Sequence, residues 1–232
     1  KVQASGFTYS GGASEVRVLA LKDSISFVTF EGAGSSFVQP LSVISRDGAT
    51  MSNVTSSGVV YVDADVDCSG SGSVVVEEGA AVSSGNSLMT LKGADMVLNG
   101  SLSSGLSLTT VRVCSGMSMQ LGGSGKDAGS FVLDRDELSR VSSTGLVLES
   151  PSGIITVLSV STKDMLMVSD YVLLNASVSG SVLFSEPSAF VPSVKAYAGK
   201  GIVVNGSVSS VGSLVLEGAW SGEDVLNSTY AI

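Results

Sequence analysis

The chain of 232 residues contains no histidine. That absence removes the commonest general base, the Ser-His-Asp and Cys-His nucleophile arrangements, and zinc sites built on imidazole. Cations are scarce as well: 12 Lys+Arg stand against 21 Asp+Glu, a net charge of −9. No basic stripe is present, and nucleic acid is not an expected partner, because phosphate binding runs on clustered cations. Uninterrupted apolar runs reach only about four residues, far short of the roughly 18 that suggest a membrane span. The chain begins at Lys1 with no apolar signal region, so it reads as a processed or fragmentary product whose targeting sequence is missing.

What is present is a repeated phrase. Met96-Val97-Leu98-Asn99-Gly100-Ser101-Leu102, Tyr171-Val172-Leu173-Leu174-Asn175-Ala176-Ser177-Val178 and Ile202-Val203-Val204-Asn205-Gly206-Ser207-Val208 are versions of one text. Each alternates apolar with polar residues, passes a small residue and carries an Asn-x-Ser acceptor for N-linked sugar. With the residue after Asn-[Gly/Ala]-Ser as a marker, related phrases put markers at Val66, Val82, Leu102, Leu121, Val141, Val160, Val178, Val194 and Val208. Their spacing is about 19 residues, too short for helical repeats and suited to one rung of a β-solenoid. The expectation is an all-β chain with an N-terminal β segment or cap at 1–57, solenoid repeats at 58–218 and a tail or cap at 219–232. A β-sandwich is the alternative, although it does not explain the repeated unit.

Strand alternation predicts that Val60, Val62, Ala64 and Val66 face one way while Tyr61, Asp63 and Asp65 face the other. The same parity turns Met96, Leu98 and Leu102 inward and Asn99 and Ser101 outward. Tyr61, Val97, Leu173 and Val203 fall at equivalent points of the repeat and are expected to form a vertical apolar ridge, covered by the chain's own termini or by another subunit. Leu133 to Arg140 is the one stretch that reads as a turn or short helix.

Five of the six asparagines, Asn53, Asn99, Asn175, Asn205 and Asn227, begin a sequon. Covalent N-glycans on some of them, and an extracellular or cell-surface location, follow as expectations. Cys68 and Cys114 fit one disulfide in an oxidising compartment, or two buried thiols.

From Phe131 through Leu133-Asp134-Arg135-Asp136-Glu137-Leu138-Ser139-Arg140-Val141-Ser142-Ser143-Thr144-Gly145 to Ser150, and on through Gly153-Ile154-Ile155-Thr156-Val157, the text resembles the repeats of filamentous-haemagglutinin-type large exoproteins. The resemblance is clearest over 131–160 and is echoed across 58–218. It implies a right-handed parallel β-helix of the kind used in secreted adhesins and surface fibres, and it brings no catalytic residues. The five sequons depart from the usual bacterial pattern and point to a eukaryotic surface protein built on the same rung.

Three chemical readings compete with a structural one. Asp63, Asp65 and Asp67 form Asp-x-Asp-x-Asp, a spacing that offers oxygen ligands to calcium but reads more readily as a solvated strand face, so no metal is assigned. Asp134, Asp136 and Glu137 are the best carboxylate cluster for sugar cleavage, and a polysaccharide lyase or hydrolase on a β-helix is the alternative function. Scattered threonines without a Thr-x-Thr ladder argue against an ice-active lattice. No cofactor motif occurs: Gly122-Gly123-Ser124-Gly125-Lys126 lacks phosphate-loop spacing and reads as a turn. The expected partner is the chain itself, as a homo-oligomer or filament.

Overall fold

The structure is a computed structural model that describes residues 2–6, 8–10, 12, 14–22, 26–32, 34–124 and 131–218. Every registered strand pair is parallel. Parallel neighbours need a long crossover between them, and here the crossover is the rest of the turn. The fold is a parallel β-helix, and the β-sandwich alternative, which requires antiparallel strands, is excluded. The chain divides into two compact units, 1–112 with 140–144, and 113–139 with 145–232.

In the first unit three faces recur. Val2–Ser5, Val28–Glu31, Gly48–Met51, Ser73–Val76 and Asp95–Leu98 stack on one. Thr8–Tyr9, Ser35–Phe37, Val54–Ser56, Ala81–Ser83, Ser101–Ser103 and the start of Val141–Glu149 stack on the second. Val16–Ala20, Leu41–Ser45, Val60–Asp63, Met89–Lys92 and Leu108–Arg112 stack on the third. Stacked parallel strands are thus already present within 1–57, from Val2–Ser5 onward. Rungs are also less regular than the expected 19 residues: Leu41 pairs with Val60, 19 residues on, but Val60 pairs with Met89, 29 residues on. Strands must stay in register while corners need not, so the corners absorb the difference. Among the sequence markers, Val82, Leu102 and Val141 do share a column, whereas Val66 and Val178 lie in turns.

Alternation places the core as expected. Val18, Val43, Val62, Leu91 and Val111 form one inward column, and Val28, Ala49, Val74 and Met96 another. Above the first rung these side chains are buried, each contributing about 1.5–3 kcal/mol for a Val- or Leu-sized group. Phe30 meets Phe37 edge to face across a corner, with ring centroids 6.1 Å apart.

Where the second face turns, inward apolar residues give way to buried serines. Ser56 Oγ donates to Gln39 O (2.8 Å) and Ser104 Oγ to Ser107 O (3.0 Å), and Ser84 Oγ does the same to Ser87 O. A small hydroxyl fits the tight bend and satisfies a corner carbonyl. The next serine of this series, Ser143, is buried with no partner for its hydroxyl among the described residues. The small residue of the repeated phrase has a similar cause: a Cβ on Gly100 would lie 2.2 Å from Ala80 O on the rung beneath.

The second unit follows the same rules with one detour. Its first sheet runs Phe131–Leu133, Met119–Gly122, Ile154–Leu158, Ser181–Phe184, Gly201–Val204, so the strand at 131–133 lies outside the strand that precedes it in sequence. Val168–Ala176, Ser193–Ala198 and Leu214–Gly218 make a second face, with Val172, Val194 and Leu214 in one column. Ser188–Phe190 and Val208–Ser210 make a third. The short helix expected near Leu133 is present as Arg135–Leu138, N-capped by Asp134.

Truncating Leu102, which is fully buried, to Ala is expected to cost about 2–5 kcal/mol in urea unfolding, while the same change at Leu106, 84% exposed, stays within about 0.5 kcal/mol. Ser104→Ala is expected to cost about 1 kcal/mol, and Ser143→Ala to be neutral or stabilising, because only the first hydroxyl is bonded.

Candidate functional site

With no pocket singled out by the sequence, the candidate site is the outward surface and the corners that carry modifiable side chains. Asn53, Asn99 and Asn205 are exposed, each at a corner next to a strand end. Asn53 has a positive φ of 49°, a conformation asparagine tolerates, and its Oδ1 accepts from Ala81 N of the next rung at 3.0 Å. Asn86, which begins no sequon, repeats this device with φ 67° and a bond from Leu106 N at 3.0 Å. Asn175 differs: it is half-buried inside the strand Val168–Ala176, its Nδ2 donating to Glu149 Oε1 at 3.3 Å. Asn227 lies outside the described residues.

The four residues expected to form a ridge do point outward, with Tyr61 and Val97 in the first unit and Leu173 and Val203 in the second. Tyr61 pairs with Ser42 and Thr90, Val97 with Val75, Leu173 with Lys195, and Val203 with Leu183. Within each unit the two members sit on different sheets, because the repeated phrase is a strand and corner text used on more than one face. A column the sequence reading did not assemble takes its place on the second face of the first unit: Thr8, Ser36, Thr55, Ser83, Ser103 and Ser142, outward and in register. Its signal was legible in Val54-Thr55-Ser56, Val82-Ser83-Ser84, Leu102-Ser103-Ser104 and Val141-Ser142-Ser143. In each, the first residue faces the core, the second faces out and the third is a buried serine, at the end of the strand or just past it in the first three and within Val141–Glu149 in the last.

Cys68 and Cys114, the chain's two cysteines, are both disulfide-bonded. Cys68 sits at φ 54° in the loop that follows Val60–Asp63. Two of the three aspartates of that stretch, Asp63 and Asp65, are not on the solvated face expected of them, while Asp67 is exposed. Asp65 is fully buried, Oδ1 accepting from Ser69 N and Ser69 Oγ (both 3.0 Å) and Oδ2 from Gly70 N (3.1 Å). Asp63, also buried, accepts from Lys92 Nζ at 3.0 Å and Tyr61 OH at 3.3 Å. Strand parity fails at Asp65 because the strand ends at Asp63 and the backbone turns. Burial, then the Asp63 charge, raises the Tyr61 hydroxyl above its ordinary pKa. Asp67 meets Arg46, with Nε at 2.9 Å and Nη2 at 2.8 Å, and the guanidinium hydrogen bond holds its carboxyl below the ordinary value. Each carboxylate thus has its own protein partners, and Asp65 shapes the loop that carries Cys68.

The second carboxylate group is likewise engaged. Asp134 Oδ1 accepts from Glu137 N (2.9 Å) while Glu137 Oε2 accepts from Asp134 N (3.0 Å), a reciprocal cap on the Arg135–Leu138 helix. Arg135 Nε reaches Asp164 Oδ2 at 3.0 Å, and Asp164 in turn accepts from Ser161 N. Asp134, Asp136, Arg135 and Asp164 line a shallow cleft with Gly123 and Ser124. Of the three sequence candidates for sugar cleavage, only Asp136 is exposed.

Because the folded pKa of Asp67 is depressed, the unfolded chain binds the extra proton first and the pair's contribution exists above the ordinary carboxylate pKa. It is lost as pH falls through the depressed value. Asp67→Asn is therefore expected to lower the urea midpoint at neutral pH, with the difference vanishing in acid and shrinking in high salt, since the pair is exposed. Comparison of the chain with protein-family models, with curated proteins and with solved structures returns no match.

Proposed function

We propose that this chain is a glycosylated extracellular β-solenoid with a structural or adhesive role, associating with copies of itself as a subunit of a surface fibre or helical filament. The observation that carries the proposal is the last described rung. Phe184 and Val194 are fully buried, yet the residues stacked on them, Val204 and Leu214, are not: Val204 is 41% exposed and Leu214 half-exposed. Among the described residues no strand lies beyond them, and an apolar layer with a row of strand edges of this kind is what another β layer pairs with. The disulfide supports an oxidising compartment, and three exposed sequon asparagines support a sugar-bearing surface. The resemblance to filamentous-haemagglutinin-type repeats points the same way.

A polysaccharide-active role has weaker support. Cleavage of a glycosidic bond uses two carboxyl groups flanking the sugar, and here Asp134 and Glu137 are turned to each other's backbone amides.

Purified chain is expected to form elongated multimers with rising concentration, visible by electron microscopy and as a growing mass in light scattering. Monodisperse monomer at every concentration overturns the filament and leaves a monomeric adhesin.

A further inference from the structure

The sequons are alike in text and unlike in what the fold has done with their amide nitrogens. We infer that Asn53, Asn99 and Asn205 carry N-linked glycans in the folded chain and that Asn175 stays bare. The inference rests on the proposed glycoprotein reading and sorts its sites.

The covalent step sets the requirement. Nδ2 forms a bond to the anomeric carbon of an activated glycosyl diphosphate, the diphosphate leaves with the electron pair of the broken carbon–oxygen bond, and Nδ2 gives up one of its two protons. The carbonyl Oδ1 keeps its lone pairs. A glycosylated asparagine can therefore still accept through Oδ1, while a sugar must find room beside Nδ2.

Asn53 meets both conditions. Its structural duty is discharged by Oδ1, which receives Ala81 N, and its side chain is exposed at a corner. The geometry shared with Asn86 shows that the corner bond needs the asparagine alone. Asn99 and Asn205 are exposed just past the ends of Asp95–Leu98 and Gly201–Val204, where the chain leaves the sheet. Their hydroxyl partners in the sequon, Ser101 and Ser207, are exposed as well.

Asn175 fails on each count. Nδ2 already donates to Glu149 Oε1, and Oδ1 accepts from Ser177 N at 3.3 Å. The residue lies within a nine-residue strand, with Tyr197 as its register neighbour on the adjacent strand about 4.8 Å away. A sugar there would have to stand among neighbouring side chains on the sheet, and both Asn175 and Ser177 are half-buried.

The test uses the full chain secreted from a eukaryotic host. The secreted protein is digested with chymotrypsin and its peptides are treated with peptide-N-glycosidase in heavy-oxygen water, so that each occupied asparagine becomes a labelled aspartate read by mass spectrometry. The expected result is label at Asn53, Asn99 and Asn205 and none at Asn175. Label at Asn175 at a level equal to the other three overturns the sorting while leaving the glycoprotein reading intact; no label at any of the four overturns both. A second arm separates the two duties of Asn53. Asn53→Asp keeps an oxygen for Ala81 N and is expected to lose one glycan and, once enzymatically deglycosylated, to share the thermal midpoint of the deglycosylated parent, whereas Asn53→Ala treated alike has a lower midpoint. Equal midpoints for the two variants would remove the corner bond from the account.

Discussion

The parallel ladder between successive rungs is the constraint on which the rest of the structure depends. A single rung is a bent ribbon with one apolar side and nothing to bury it against. Once the next rung bonds to it in register, Val43 stands over Val18, Val62 over Val43 and Leu91 over Val62, and a continuous core appears from residues that are 19 to 29 positions apart in sequence. The ladder also dictates what a buried polar group must do. Backbone groups are spent along the axis, so the inward hydroxyl of Ser104 finds its partners at a corner carbonyl, Ser107 O, and at the Thr109 hydroxyl on the strand that follows.

The same constraint leaves the corners free. Closing a longer loop costs little more than closing a short one, since the entropy grows only with the logarithm of length. The 64–72 loop uses that freedom. Its shape comes from Asp65, a buried carboxylate that gathers the amides of Ser69 and Gly70, with the Arg46–Asp67 pair on its outer side. A rigid corner of this kind can hold Cys68 at a positive φ, which a strand position would not allow.

Parity was legible in the sequence and register was not. Alternation is a local property: Val60 and Val62 in, Tyr61 out, Met96 and Leu98 in, Asn99 out, all follow from the period of two. Which outward residues become neighbours depends on how many residues each corner consumes, and nothing in the strand text records that. This is why Tyr61 and Val97, like Leu173 and Val203, read as equivalent points yet lie on different sheets of their unit, while Thr8, Ser36, Thr55, Ser83, Ser103 and Ser142 are in line across uneven spacings. Asp65 was misread for a related reason. Counting by twos continues past a strand's end, whereas the backbone at Asp63 does not. The helix cap at Asp134 was within reach, because Asp-x-x-Glu ahead of an apolar residue is a local signature.

The repeated Val-Ser-Ser text joins the core to the proposed role. Its first and third positions are committed to the fold, as an apolar column and a buried serine, and only the middle one faces outward. A surface built this way repeats one small polar group at the rung spacing of about 4.8 Å, with no individual position essential to stability. Contacts made by such a row are weak one at a time and are strengthened by number, since each engaged group raises the effective concentration of the next. An enzyme concentrates its chemistry at a few positions that the scaffold must hold rigidly. The described outward column of the first unit spreads equivalent small polar groups along an axis instead.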